Sequence, residues 1–195
     1  LSADSFRVAP PSGEDLSRLE GVIDTPDFVR ISELPEDDPD RTPSKAIGHI
    51  IGVSPRADGK VAVGFCTGFL LSPSLFMTNH HCTHDKNGAQ KNLENFRVHF
   101  DYYDGMRLVD RWKSAQYRFA GMLVADKRLD YALLALHPKA SPELGYLKID
   151  VASEAKKRVG SVKIIQHPEG RPKEIVRENS DVVGRYQDFV HYEAD

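Results

Sequence analysis

Three histidines and a cysteine crowd one short stretch of this chain, His80-His81-Cys82-Thr83-His84, and a carboxylate, Asp130, stands at the head of an apolar run, Tyr131-Ala132-Leu133-Leu134-Ala135-Leu136. Imidazole gains and loses a proton near neutral pH, so a histidine at the end of an apolar segment is a candidate for proton-transfer chemistry. A carboxylate carried into a core is costly without a partner, and a histidine is the partner that justifies burying both. Two other readings stay open. His80, His81, Cys82 and His84 are close enough in sequence to suggest a metal cluster, although neighbours on an extended strand face opposite sides, so His80 and His81 do not easily converge. Asp130 would also serve as the N-cap of a short helix. His49, inside an apolar run of its own, has nothing chemically active beside it in sequence and reads as a structural or surface histidine.

The elements that must position these groups read as strands. Val61 to Leu71 is rich in β-branched and aromatic residues, Ser72-Pro73-Ser74 breaks it, and Leu75 starts a second run that carries on to His80-His81-Cys82. Upstream, Ala46 to Val53 forms a hairpin with the Val61 strand through the Gly-ended turn Arg56-Ala57-Asp58-Gly59. Thr83 to Asn95 has loop composition. Phe96, Val98 and Phe100 then alternate with Arg97, His99 and Asp101, the period of a half-buried strand. Asp104-Gly105 marks a turn, and Trp112, Tyr117, Phe119 and Met122 mark strand segments up to Val124. Pro138, Pro142 and Gly145 argue against a long strand after the Asp130 run, with Tyr146 to Ile149 packing as one short strand. Ser161 to His167, Lys173 to Arg177, Val182 to Gly184 and Phe189 to Tyr192 complete the strand candidates. Residues 1–45, rich in proline and acidic residues, read as an extended arm or propeptide-like segment, with a helical turn or two over Gly13 to Val22.

Composition removes several classes. At 195 residues with 40% hydrophobic content the chain supports a sizeable core, which argues against disorder throughout. Its 26 basic and 29 acidic residues leave a net charge of −3, too balanced to point to nucleic acid or an acidic membrane as partner. No apolar run approaches the roughly 18 residues of a membrane span. The first residues, Leu1-Ser2-Ala3-Asp4, do not begin a basic and then apolar leader, so any signal peptide is expected to be absent or already removed. No repeat and no phosphate-cradling glycine loop stands out.

The segment Thr67-Gly68-Phe69-Leu70 leading to Thr78-Asn79-His80-His81-Cys82 resembles the histidine region of the chymotrypsin-like serine peptidases, and Asn79-His80-His81 is closest to the bacterial glutamyl-endopeptidase-like branch. Leu129-Asp130-Tyr131-Ala132-Leu133-Leu134 is similar to the acid motif of the same family. Its place 49 residues after His81 is near the family's His-then-Asp spacing. The resemblance implies an all-β fold of two antiparallel six-stranded-type β-barrels, the second incomplete within the chain. On that reading residues 46–136 form the first barrel, 137–158 the connection between barrels and 159–195 part of the second. It implies a serine endopeptidase acting on protein or peptide substrates, with His81 as general base and acid, Asp130 as its orienting carboxylate, and Cys66 and Cys82 as a disulfide closing the histidine loop. It implies no metal and no organic cofactor. The cysteine pairing it implies favours an oxidising compartment, secreted or periplasmic.

The nucleophile of that family sits in a Gly-x-Ser-Gly phrase, and no such phrase occurs in the 195 residues. Ser180 lacks flanking glycines and reads as a surface turn residue; Ser161 follows Gly160 but begins a strand. Tyr192-Glu193-Ala194-Asp195 resembles the strand end that precedes the nucleophile loop. The serine is therefore expected beyond Asp195, in a continuation, a second chain or a C-terminal fragment, or else the protein is an inactive peptidase-fold binding or scaffold protein.

Overall fold

The computed structural model describes residues 28–55, 60–149, 161–177, 181–185 and 190–192. The expected helical turn over Gly13 to Val22, the turn at 56–59 and Ser180 lie outside them. The architecture is all-β. Period-two apolar segments become strands β1 (Val29–Arg30), β2 (Ile47–Pro55), β3 (Val61–Ser72), β4 (Leu75–Thr78), β5 (Phe96–His99), β6 (Arg118–Asp126) and β7 (Tyr131–His137), then β8 (Ile164–Gln166), β9 (Glu174–Val176), β10 (Val182–Arg185) and β11 (Val190–Tyr192). Among the described residues three short α-helices interrupt them, α1 (Arg41–Ser44), α2 (His80–Thr83) and α3 (Leu108–Ser114), beside single 3-10 turns.

The main sheet is antiparallel with strand order β5-β2-β3-β4-β7-β6. It curls on itself: the Val98 amide of β5 donates to the Tyr117 carbonyl just ahead of β6 at 2.9 Å, bringing the two edge strands together and covering edges that would otherwise template further pairing. The barrel is filled by Ile50, Leu70, Phe76, Val98 and Leu134, all essentially without exposure. Gly68 permits this closure, because a Cβ there would collide with the Phe76 ring and the Met77 carbonyl. The register matters most where β4 meets β7. Met77 lies opposite Leu133 and Thr78 opposite Ala132, so the chain leaving β4 passes beside the chain entering β7 at Asp130.

A second sheet, β1-β9-β8, and the β10-β11 hairpin follow, tied by a Ser161–Asp181 bridge. The described part of the acidic N-terminal stretch lies against this sheet. Ile31 and Leu34 are buried against Ile175, and Asp38 and Asp40 meet Arg177 and Lys163 at 2.8 and 3.1 Å. The two sheets are joined by polar contacts: Lys173 Nζ donates to the Ser44 and Phe100 carbonyls at 2.7 and 2.8 Å, the His167 amide to Thr67 Oγ1 at 2.9 Å, and Arg111 Nη1 to the Gly170 carbonyl at 3.0 Å.

Two expectations of strand fail outside the histidine segment. Trp112 lies on α3, whose turns are closed by the Arg111 and Ala115 amides donating to the Arg107 and Arg111 carbonyls at 3.0 and 2.9 Å; Leu108 and Trp112, four apart, share a face in a helix and in a strand alike, so their spacing did not distinguish the two. Tyr146 to Ile149 runs irregularly, with the Leu147 amide donating to the Leu70 carbonyl at 2.8 Å while Tyr146 and Ile149 are exposed. Among the described residues no helix is long and apolar enough to cross a membrane.

Candidate active site

The strand expected to run through His80-His81-Cys82 ends at Thr78, and α2 is a single helical turn instead. Asn79 stays extended, and the turn that follows has backbone groups that no helix of its own length can pair. They are paired partly from outside and partly by the turn's own end. The His81 amide donates to Asp130 Oδ1 at 3.0 Å, Thr83 Oγ1 and the His84 amide return to the His80 carbonyl at 3.1 and 3.0 Å, and Lys91 Nζ donates to the His81 and Cys82 carbonyls at 3.1 and 3.2 Å. Cys82 is bonded to Cys66 of β3, with Cα atoms 6.1 Å apart.

His81 and Asp130, 49 residues apart, meet at the β4–β7 junction with Nδ1 2.7 Å from Oδ2. Facing an ionised carboxylate, Nδ1 carries the proton, which leaves Nε2 as the acceptor nitrogen of the neutral ring. Their side chains are about a third and a fifth exposed, so the pair is sheltered but reachable. Burial alone would push the Asp130 carboxyl up; the hydrogen bonds from the His81 side chain and amide, the attraction of the ring when it is protonated and the Asn79 amide together hold it below its ordinary value. Asp130 also has φ of 49°, a left-handed backbone that aspartate tolerates better than most residues, and it lies in the turn into β7, not at a helix start. The N-cap alternative falls with that.

Asn79, not singled out from the sequence, donates from Nδ2 to the same Oδ2 at 3.1 Å. The signal available for it was adjacency to the histidine motif. Lys91 left no signal at all, being one lysine in a polar loop.

His80 faces away from His81: its ring stacks on His84 at 3.8 Å between centroids, 4° from parallel, and burial followed by the neighbouring His84 lowers its pKa. Parallel stacked rings aim their lone pairs side by side, not at a common ion, and the separation of His80 from His81 comes from the helical turn, not from strand alternation. Among the described residues, the ligand atoms of Cys66, His81 and Cys82 do lie within 4.8 Å of one another. Both sulfurs are spent in the disulfide, however, and a disulfide has no thiolate to offer a metal.

His49 is wholly buried, packed against Phe65, Tyr102 and His167 with ring centroids 5.3, 5.2 and 4.8 Å away. Burial, then the positive charge of Arg111, brings its pKa down to about 3, so it is a neutral core imidazole.

A model of the trypsin-like peptidase domain matches residues 66–195. An uncharacterized protein of Sinorhizobium fredii, y4fB, is 29% identical over 198 residues, covering 97% of this chain and 28% of the relative; the chain thus spans a little over a quarter of that relative's length. Among solved structures, the active form of the Rv3671c protease of M. tuberculosis is 21% identical with a TM-score of 0.42, over 88% of this chain and 70% of that one. A serine-to-alanine mutant of Rv3671c in its inactive form is 22% identical with a TM-score of 0.39, over 80% and 68%.

Proposed function

The chain belongs to the trypsin-like peptidase domain family, and from that membership we propose that it carries the histidine and carboxylate of a Ser-His-Asp serine endopeptidase whose nucleophilic serine follows Asp195. The observation that carries the reading is the 2.7 Å contact between His81 Nδ1 and Asp130 Oδ2 in a sheltered but reachable position. Asp130 fixes the tautomer and steadies the imidazolium. His81 Nε2 takes the serine proton as the oxygen attacks the peptide carbonyl, then gives it to the departing amine; water repeats the cycle to release the acyl group. Asp130 stays ionised throughout.

The substrate is a protein or peptide, and the Asn79-His80-His81 phrase favours the glutamyl-endopeptidase-like branch. The Cys66–Cys82 disulfide supports a secreted or periplasmic site of action. The test is active-site labelling of the full-length gene product with a fluorophosphonate, together with peptidase assays of that product and its His81→Ala variant. Labelling of a serine beyond Asp195 that His81→Ala abolishes is the expected result. A continuation without a Gly-x-Ser-Gly phrase, no labelling and no cleavage would favour the scaffold reading, and label on a separate chain would assign the serine to a partner.

A further inference from the structure

We infer that Lys91 is a positioning residue for His81, holding the turn that carries the imidazole by pairing three consecutive carbonyls of that turn. This rests on His81 being the general base of the proposed reaction. The Lys91 amide donates to the Thr83 carbonyl at 2.8 Å, and its Nζ donates to the carbonyls of His81 and Cys82 at 3.1 and 3.2 Å. A single helical turn does not sustain itself, and the carbonyls at its end lack helical partners, so what supplies those partners decides whether the turn exists. A cation at the carbonyl end is the favourable sign there.

The loop between α2 and Lys91 is built to return the lysine to this place. Asp85 Oδ1 accepts from the Asn87 and Ala89 amides at 2.8 and 2.9 Å, and the Asp85 amide donates to the Ala89 carbonyl at 2.8 Å. Gly88 takes the left-handed backbone, with φ of 84°, and a His84–Gln90 bridge closes the loop. Lys91 is itself half-buried, and that burial, partly offset by Asp85, lowers its pKa while leaving the ammonium facing two carbonyl oxygens. The turn's other anchors act at its start and middle, through Asp130 on the His81 amide and the disulfide at Cys82. Without the Lys91 side chain the His81 and Cys82 carbonyls lose the ammonium that bridges them, only the backbone contact to Thr83 remains from this residue, and the imidazole loses its register with Asp130. Such a shift costs turnover more than substrate binding, because it disturbs the reacting geometry and not the substrate's contacts.

The experiment compares Lys91→Met and Lys91→Arg in the full-length gene product. Lys91→Met should lower kcat about 10- to 100-fold with KM within about twofold, and should broaden or abolish the low-field proton resonance of His81 Nδ1–H against Asp130, identified by its loss in His81→Gln. Lys91→Arg, which still reaches two carbonyls, should recover most of both. Lys91→Met with kcat within about twofold of the parent and an intact resonance overturns the inference. So does Lys91→Arg as impaired as Lys91→Met with a parallel fall in Tm, which would make the lysine a general packing element. If the parent cleaves no peptide, the proposed reaction falls, and the resonance alone decides Lys91: persistence in Lys91→Met overturns its role, and loss there with retention in Lys91→Arg supports it.

Discussion

His81 and His49 lie in the same barrel, and everything that separates them is in what surrounds the ring. His81 stands on the helical turn that follows β4, about a third exposed, with a carboxylate 2.7 Å from Nδ1 and a backbone whose polar groups are paired by Asp130 and Lys91. His49 lies mid-strand on β2, without exposure, between aromatic rings, with neither ring nitrogen hydrogen-bonded among the described residues and with Arg111 and Lys173 nearby to oppose a positive charge on it. On the proposed reading one imidazole exchanges a proton; the other is held neutral. Both are costly placements, but only the first is offset by a negative partner, and that partner converts a buried titratable group into a chemically useful one.

Asp130→Asn should break the comparison most severely. The amide holds the imidazole without stabilising its cation, and kcat of the full-length product should fall by about four orders of magnitude, while His49→Leu leaves it within about twofold. A kinetic assay giving the reverse ranking would move the chemistry to the buried cluster.

Next comes the cross-link, which serves only the His81 side. Replacing Cys66 and Cys82 together by alanine should cost about 3 kcal/mol in the chain-entropy view of a loop of this size. Urea unfolding measures it. A loss below about 1 kcal/mol would mean that Asp130 and Lys91 hold the turn without the disulfide.

Asn79→Ala removes one of the two side-chain donors on Asp130 Oδ2. It should reduce kcat roughly tenfold, the size of one hydrogen bond to a charged group, with KM nearly unchanged. An unchanged kcat would reduce Asn79 to a passive neighbour.

The smallest effect sharpens the His49 side. Its folded pKa of about 3 lies below the ordinary 6.5, so the unfolded chain binds the extra proton between these values. The stability it contributes is present above pH 6.5 and is lost as pH falls toward 3. Burial sets the same direction for His167 and His99. Asp130, lowered from 3.8, loses its contribution only below that ordinary value. Between pH 6.5 and 4 the decline among the described residues therefore belongs to the histidines whose pKa is lowered, His49, His167 and His99 in the core and His80 beside the candidate site. In urea midpoints across that range, His49→Leu should give a shallower slope and equal or greater stability near pH 5, since it removes two unpaired buried nitrogens. An unchanged slope would locate the titration elsewhere.

Local pattern and family resemblance reached far into this chain. The alternation of Phe96, Val98 and Phe100, the break at Ser72-Pro73-Ser74 and the run after Asp130 specify strands, because a two-residue period and a turn are properties of neighbouring residues alone. The His81 and Asp130 motifs pointed to a contact that the fold then makes at 2.7 Å. What neighbours cannot specify is which distant group completes a buried polar one. The β4–β7 register sets Asn79 beside Asp130 across 51 residues, and the α2 turn exists because Asp130, Cys66 and Lys91 arrive from three separate segments to pair and anchor it. His49 looked like any strand histidine until the second sheet closed over it, bringing His167 from 118 residues away. Partnership and burial are set by the meeting of remote segments, so the sequence determined which residues could do chemistry, and the tertiary structure decided which of them had the surroundings to do it.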